Sequence, residues 1–378
     1  MAPLYVARPL LPSMADLNDL LAGVWESKMV TNEGPLHDRL EHALADKLGV
    51  PMAKVFSSGT SALQCALLSL ELPVGAEVIT TPLTFPATAH AITALGLKPV
   101  FADIDPETLT LDPSAVERAI TPHTAAVIGV HVYGTICDVE RLQRICDRHD
   151  LRLVFDAAHA FASEKAREKI ACMGDMSVFS MHATKLFNTI EGGLVTSNNS
   201  AWGERLSLSR NFGIASEESV QSVGINGKMS ELHAAVGLLN LELFEEERAI
   251  RRGLRARYDL VLQRFPGLKK QLYQPDVYQS EQYYMLRVDP DAFGSTRDDV
   301  CHRLKEREII ARRYFWPICT DYDCYRNYPI TSLQAVPVAE QVKTTLLCLP
   351  FHSGVTNAHI ETIASVFEDL HAGVTIAV

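Results

Sequence analysis

The 378-residue chain has no excess of positive charge: 46 acidic residues against 35 Lys and Arg leave a formal net charge of -11. That argues against a general nucleic-acid or anionic-membrane binder. The one dense basic cluster, Arg248, Arg251, Arg252, Arg255 and Arg257, follows Glu245, Glu246 and Glu247 and reads as a solvated helix. The eight cysteines form no C-x-x-C pair and are scattered through apolar stretches, which fits free thiols in a reducing cytoplasm better than a disulfide framework. No apolar run reaches the length of a membrane span, and no signal-peptide pattern opens the chain, so a cytoplasmic protein is expected. The thirteen histidines contain no H-E-x-x-H, and Asp103-Ile-Asp105-Pro106 reads as a strand end entering a turn, so no metal is expected. No G-x-G-x-x-G follows a strand, which weighs against a dinucleotide-binding oxidoreductase. Internal repeats and low-complexity linkers are missing as well.

What the chain does have is 47% hydrophobic content, enough for a large core and two domains. From about residue 35 amphipathic helices alternate with short apolar strands, the pattern of an α/β fold with a mainly parallel sheet covered on both faces. Strands are expected at 78–81, 99–102, 125–132, 151–155, 177–180 and 194–197, with helices at 36–48, 61–70, 87–95 and 138–149. A long helix from Ser230, continued by the charged run to Gln263, leads into a smaller α/β unit. That unit carries strands at 283–288 and 309–314 and helices at 296–307 and 358–370. The division expected is 1–240, an N-terminal arm and large domain, and 241–378, a small C-terminal domain.

Chemistry enters at Lys185, in the loop after the strand that ends in Ser180. A lysine there is ordinarily a solvated surface residue. The alternative is an amine held against an aldehyde cofactor, because a desolvated or positively flanked lysine loses its proton readily and forms a Schiff base. Pyridoxal 5'-phosphate would need a carboxylate at its pyridine nitrogen, and Asp156, closing the strand Arg152-Leu-Val-Phe155, is the candidate. It would also need a phosphate cradle. Ser57-Ser58-Gly59-Thr60 opens a helix, where free amides and the positive helix end face an anion. Each feature has a plainer reading: a helix cap, a strand terminus, a core histidine at His159, a core aromatic at Phe85. Their order along one α/β domain is what favours a site.

The motifs Ser58-Gly-Thr60-Ser-Ala-Leu63, Thr81-Pro-Leu-Thr-Phe85-Pro-Ala-Thr88, Asp156-Ala-Ala-His159-Ala-Phe161, Phe179-Ser-Met-His-Ala-Thr-Lys185, Glu191-Gly-Gly193, Asn211-Phe-Gly213 and Gly224-Ile-Asn226-Gly-Lys-Met-Ser-Glu231 go further. Together they resemble the DegT family of pyridoxal-phosphate-dependent nucleotide-sugar aminotransferases, from Thr31 to Pro350. The resemblance implies the aspartate-aminotransferase fold (fold type I) and a homodimer with active sites shared between subunits. It implies that Lys185 carries the cofactor and shuttles the proton, Asp156 pairs the pyridine nitrogen, Phe85 stacks on the ring and His159 packs near it. Gly59, Thr60 and Ser180 would bind the phosphate, with Asn226 reaching it from the other subunit. One departure stands out. Similar sequences usually place glycine after the equivalent of Phe161, where this chain has Ala162-Ser163, so a positive φ is harder to reach.

The activity implied is amino transfer from an amino acid, with glutamate the expected donor, to a keto group on a nucleotide-linked deoxysugar. The wording is more similar to members acting at sugar carbon 4, such as those forming dTDP-4-amino-4,6-dideoxyglucose, than to the carbon-3 group; dTDP-4-keto-6-deoxyglucose is the substrate this implies. Another keto sugar, an aminocyclitol precursor, or a non-catalytic cofactor-binding regulator stay open. The family's dehydratases replace the lysine with histidine, and Lys185 argues against them. Arg312 and Arg313, beside Tyr314, are the candidates for the nucleotide diphosphate, since guanidinium forks match phosphate oxygens. A solvent-facing charged pair explains them equally well.

Overall fold

The computed structural model describes residues 3–326 and 335–375. At its centre lie β1 (Met52–Phe56), β2 (Glu77–Thr80), β3 (Lys98–Phe101), β4 (Thr124–Val130), β5 (Arg152–Asp156), β6 (Met176–Ser180) and β7 (Gly193–Ser197). They form one seven-stranded sheet in the order β1-β7-β6-β5-β4-β2-β3. Only β7 runs against its neighbours; the other pairings are parallel. The strands are apolar along their length because both faces are covered. Adjacent residues show it, since successive side chains point to opposite faces. Val78 and Ile128 pack with Ala62 and Leu63 of α3 (Gly59–Ser69), Ile92 of α4 (Pro86–Ala94) and Leu206 of α7 (Trp202–Arg210). Their neighbours Ile79 and Val127 pack with Ala115 of α5 (Pro113–Ala119) and Leu142 of α6 (Val139–His149). At the β1 end, Leu40 and Leu44 of α2 (Pro35–Leu48) cover Val55, Phe179 and Leu194.

The long helix α8 (Glu231–Leu262) ties this layer to the C-terminal part. Its first residue also caps α2: the Glu231 carboxylate accepts the Leu36 and His37 amides, both at 2.8 Å. Ala234, Ala235 and Phe244 belong to the core beneath the large sheet. Leu254, Tyr258 and Leu262 belong instead to a core built on a three-stranded antiparallel sheet of Leu268–Lys270, Tyr284–Val288 and Leu346–Leu349. The division expected at 240/241 falls inside this one helix. No described helix is long and apolar enough to cross a membrane.

Two expectations change. Arg248 and Arg251 are not on a solvated face: both are 1% exposed. Arg248 donates to the carbonyls of Gln279 (2.9 Å) and Ala162 (3.1 Å) and lies 3.8 Å from the Tyr278 ring centre. Arg251 pairs with the equally buried Glu247 at 2.8 Å. Buried guanidinium groups are tolerated when their donors are satisfied in this way. The strand expected at 309–314 ends at Ile310, where Ile309–Ile310 pairs in parallel with Leu4–Tyr5. Only Arg312 bridges onward, to Cys348.

Candidate active site

The carboxyl ends of β5 and β6 open into a cavity of about 400 Å³. Open parallel sheets gather their sites at this edge. Asp156 is the last residue of β5 and Ser180 the last of β6, and both line the cavity with Lys185, His159, Gly59, Thr60 and Phe85. Lys185 stands on the loop between β6 and β7. That loop is laced by Met181 N–H to Gly192 (2.8 Å) and Ala183 N–H to Ile190 (2.7 Å). Gln282 grips it from the small-sheet side, accepting the Leu186 amide at 2.8 Å and donating to the Thr184 carbonyl at 3.1 Å. The lysine is thus bracketed on both sides by one side chain.

At the start of α3, Ser58 and Ser61 form a reciprocal capping box, so the plain reading of this motif as a cap holds. The cap leaves the Gly59 and Thr60 amides without a partner among the described residues. A Cβ on Gly59 would stand 3.0 Å from the Ser180 Cβ, inside the space between α3 and β6.

Burial sets the electrostatics. It drives the Lys185 ammonium down to about 8, while the Asp156 charge pulls the other way. Burial also raises the Asp156 carboxyl above its ordinary value, against the Thr88 hydroxyl (2.7 Å to Oδ2), the Ala158 amide (3.1 Å to Oδ1) and the Lys185 charge. His159 is held neutral by burial and by Lys185. Its Nδ1 accepts the Tyr133 amide at 3.1 Å, which leaves the proton on Nε2. The imidazole is wedged against Phe315 (5.8 Å, stacked) and Tyr283 (5.0 Å, edge-on), and the Lys185 amine lies 5.8 Å from the same Tyr283 ring.

The model of the DegT/DnrJ/EryC1/StrS aminotransferase family matches residues 13–368. The chain belongs to this family. Its chemistry is amino transfer, with pyridoxal 5'-phosphate as cofactor. This aminotransferase is 38% identical over 368 residues to the dTDP-4-amino-4,6-dideoxy-D-glucose transaminase of Shigella dysenteriae, covering 97% of this chain and 99% of that one. It is 36% identical to the enzyme of that name from Escherichia coli, covering 96% and 97%. DesI, solved in the presence of its TDP-sugar product, superimposes with a TM-score of 0.94 at 35% identity over 100% of this chain and 95% of that one.

The residues of this aminotransferase fit its cofactor. A buried carboxylate with a raised pKa suits a protonated ring nitrogen, free amides beside a Cβ-less residue suit a phosphate, and a lysine near pKa 8 suits an aldehyde. Phe85 stands at the cavity mouth, 58% exposed, as the N-cap residue of α4. Arg312 and Tyr314 also line the cavity, whereas Arg313 lies outside it and pairs with Asp298 at 3.1 Å. Asn226 is exposed, bridged to Asn211, and outside this chain's own cavity. Ala162 does adopt a positive φ, of 53°, without glycine. The site residues that sequence reasoning missed are Thr88, Tyr283, Phe315 and Gln282. Thr88 follows Thr84 at helical spacing and their hydroxyls meet at 2.8 Å, a signal available in the sequence. Tyr283, Phe315 and Gln282 reach the site only through the fold and carry no local signal.

Proposed function

We propose that this aminotransferase moves an amino group from glutamate to the 4-keto group of a nucleotide-linked 6-deoxysugar, with dTDP-4-keto-6-deoxyglucose as substrate. The observation that carries the reading is the shared cavity, in which an amine near pKa 8 and a buried carboxylate lie beside free helix-terminal amides. The names of the relatives from Shigella dysenteriae and Escherichia coli support the sugar.

When bound, the cofactor would supply an electron sink for the carbon that carries the migrating nitrogen. Asp156 would keep the ring nitrogen protonated, and Thr88 and the Ala158 amide hold the two carboxylate oxygens in place for it. Lys185 would hold the cofactor by its aldehyde, and its freed amine would take the proton from the donor's α-carbon and later deliver one to the sugar carbon. An amine that titrates near 8 can both accept and release a proton close to neutral pH. His159, neutral and fixed by its Nδ1 bond, directs an N–H donor. Phe85 would cover the ring, and Gly59, Thr60 and Ser180 would take the phosphate. Arg312 and Tyr314 meet the sugar nucleotide.

We extend the reading to a homodimer in which Asn226 serves the partner's site. Asn226 lies beside exposed apolar residues, Phe212, Ile214, Val220 and Val223, grouped around a short hairpin. A second copy is a natural cover for such a patch. The division into a large part, 1–240, and a small part, 241–378, belongs to this reading with α8 shared between the two cores, and the free cysteines fit a cytoplasmic setting.

A panel of nucleotide-linked keto sugars and a keto-cyclitol, each incubated with glutamate and read by mass, tests the reading. The expected result is an aminated dTDP sugar with stoichiometric 2-oxoglutarate. Conversion of a cyclitol or a carbon-3 ketone alone would move the enzyme to another branch, and no turnover with any of them would leave a cofactor-binding regulator.

A further inference from the structure

Both tasks proposed for Lys185 depend on where its amine points. A loop side chain is ordinarily free to swing, and a misplacement of about 1 Å slows a reaction up to about a hundredfold. Here the lysine is held by its backbone. Its own amide closes a turn to the His182 carbonyl at 2.8 Å. The Thr184 carbonyl belongs to the peptide unit before the Lys185 Cα, and the Leu186 amide to the unit after it. Gln282 bonds both, donating to the carbonyl at 3.1 Å and accepting the amide at 2.8 Å. Neither of these two atoms has another partner among the described residues. We propose that Gln282 is a positioning residue for amino transfer: by tying the two peptide units that flank the Lys185 Cα, it sets the backbone torsions of the lysine and so the direction of its side chain. The inference rests on Lys185 as the reacting lysine.

The chemistry of the side chain matches this role. One bond needs a donor and the other an acceptor, and a neutral amide carries both, which also fixes its orientation. A carboxylate could not donate to the carbonyl, and an apolar side chain of similar length could make neither bond. The clamp is itself held. Gln282 is buried two residues before the strand Tyr284–Val288, and its carbonyl and that of Glu281 both accept from the Arg251 guanidinium at 3.4 Å. Ser280 donates its hydroxyl to the His159 carbonyl, and Tyr283 packs edge-on against the His159 ring. Residues 280–283 therefore reach the site at several points from a segment anchored by a buried guanidinium. Leu186 is buried as well. Released from Gln282, its amide would be a buried donor without a partner, and the loop would have to move to satisfy it.

Gln282→Met tests this beside a control, Gln274→Met. Gln274 makes the same kind of bracket, accepting the Ile136 amide and donating to the Ile136 carbonyl, both at 2.8 Å, but bonds no residue of the lysine loop. In single-turnover traces of the cofactor-loaded enzyme with glutamate, Gln282→Met should slow proton transfer by about tenfold or more. It should also raise the isotope effect of glutamate deuterated at the α-carbon, and leave the half-saturating glutamate concentration within about twofold. In the cofactor-free protein, the pH midpoint for uptake of pyridoxal phosphate should rise above the value of about 8 set by burial of the amine, because a loosened loop admits water. Asp156, His159 and Tyr283, which face that amine, are unchanged in both variants. Gln274→Met should lower the melting temperature and move neither reading. A wild-type rate and midpoint in Gln282→Met would overturn the inference. Equal changes in the two variants would overturn it too, since they would assign the effect to docking of the small sheet as a whole. Should Gln282→Met fail to load cofactor, Gln282→Asn, still polar but one methylene shorter, carries the same test with the same opposing outcomes. Borohydride reduction separates the inference from the reading beneath it. An adduct on Lys185 with unchanged kinetics in the Gln282 variants sinks the inference alone, whereas an adduct on another lysine removes the role of Lys185 and the inference with it.

Discussion

Lys185 and Asp156 owe their properties to the same burial, acting in opposite directions. Removing water disfavours both charged forms, so the lysine titrates low, at about 8, and the aspartate high. A neutral amine is needed to attack an aldehyde, so the cofactor-free protein should take up pyridoxal phosphate faster as pH rises through about 8. Stopped-flow absorbance would follow it. A rate still climbing toward the ordinary lysine range would mean that Lys185 is not desolvated. Lys185→Ala should lose the borohydride-reducible adduct, and an adduct on another lysine would remove this residue from the mechanism. Asp156→Asn should load cofactor yet slow both half-reactions by at least about tenfold, about 1.4 kcal/mol of barrier. Near-normal rates in single-turnover absorbance traces would separate the carboxylate from catalysis. Ala162 illustrates a different residue-scale economy. Its left-handed conformation is held by its own carbonyl, bonded to buried Arg248, and by the Ser163 N–H to Ala160 turn at 3.0 Å.

Between elements, buried charges do the fastening. Arg210, the last residue of α7 and 1% exposed, bonds Glu33 at 2.8 Å, Glu41 of α2 at 2.5 Å and the Val55 carbonyl of β1 at 2.9 Å. Its own carbonyl accepts the Gly227 amide at 2.8 Å, so the loop that carries Asn226 is pinned to the same anchor. Burial alone would raise the Glu41 carboxyl; Arg210, Lys54 and His37 overcome it and hold the group below its ordinary value. Arg210→Leu strands that charge and should cost about 3–5 kcal/mol in a urea titration. The linkage has a definite sign. A carboxyl depressed in the folded state adds stability above its ordinary pKa, and that stability is lost as pH falls through the depressed value. The wild type should therefore lose stability from Glu41 on acidification, and the variant should lose less. A cost under about 1 kcal/mol would mean that the network relaxes around the gap.

Across the whole molecule the decisive question is whether one chain makes one site. The exposed position of Asn226, outside its own chain's cavity, motivates the expectation that it completes the partner's. Take Lys185→Ala and a strongly impaired Asn226→Asp variant, dissociate them and reassociate the mixture. In a heterodimer with shared sites, one site holds both defects and the other neither, so random mixing should restore up to about a quarter of wild-type activity. If Asn226 served its own chain, every site would carry one defect and no activity would return. Mass spectrometry of the intact dimers shows whether the heterodimer is present.

The alternation of strands and helices, and most of the residues that line the Lys185 cavity, were legible because each is a local signal. Asp156 ends a strand, Gly59 opens a helix, and Lys185, Phe85 and Ser180 sit at fixed offsets from such ends, so motif spacing places them. Asn226 was legible as a motif, but its distance from its own cavity was not. Long-range packing decided the rest. Gln282 and Tyr283 reach the lysine loop only because the small sheet docks there, and Phe315 arrives on a segment where the expected strand stops short at Ile310. Arg248 and Arg251 look solvated in any window of the sequence, since their acceptors lie some thirty positions on, at Gln279 to Gln282. Local pattern fixes where a backbone turns and which face is apolar. Whether a charge is buried, and which side chain two elements away satisfies it, depends on contacts that exist only once the chain has closed on itself.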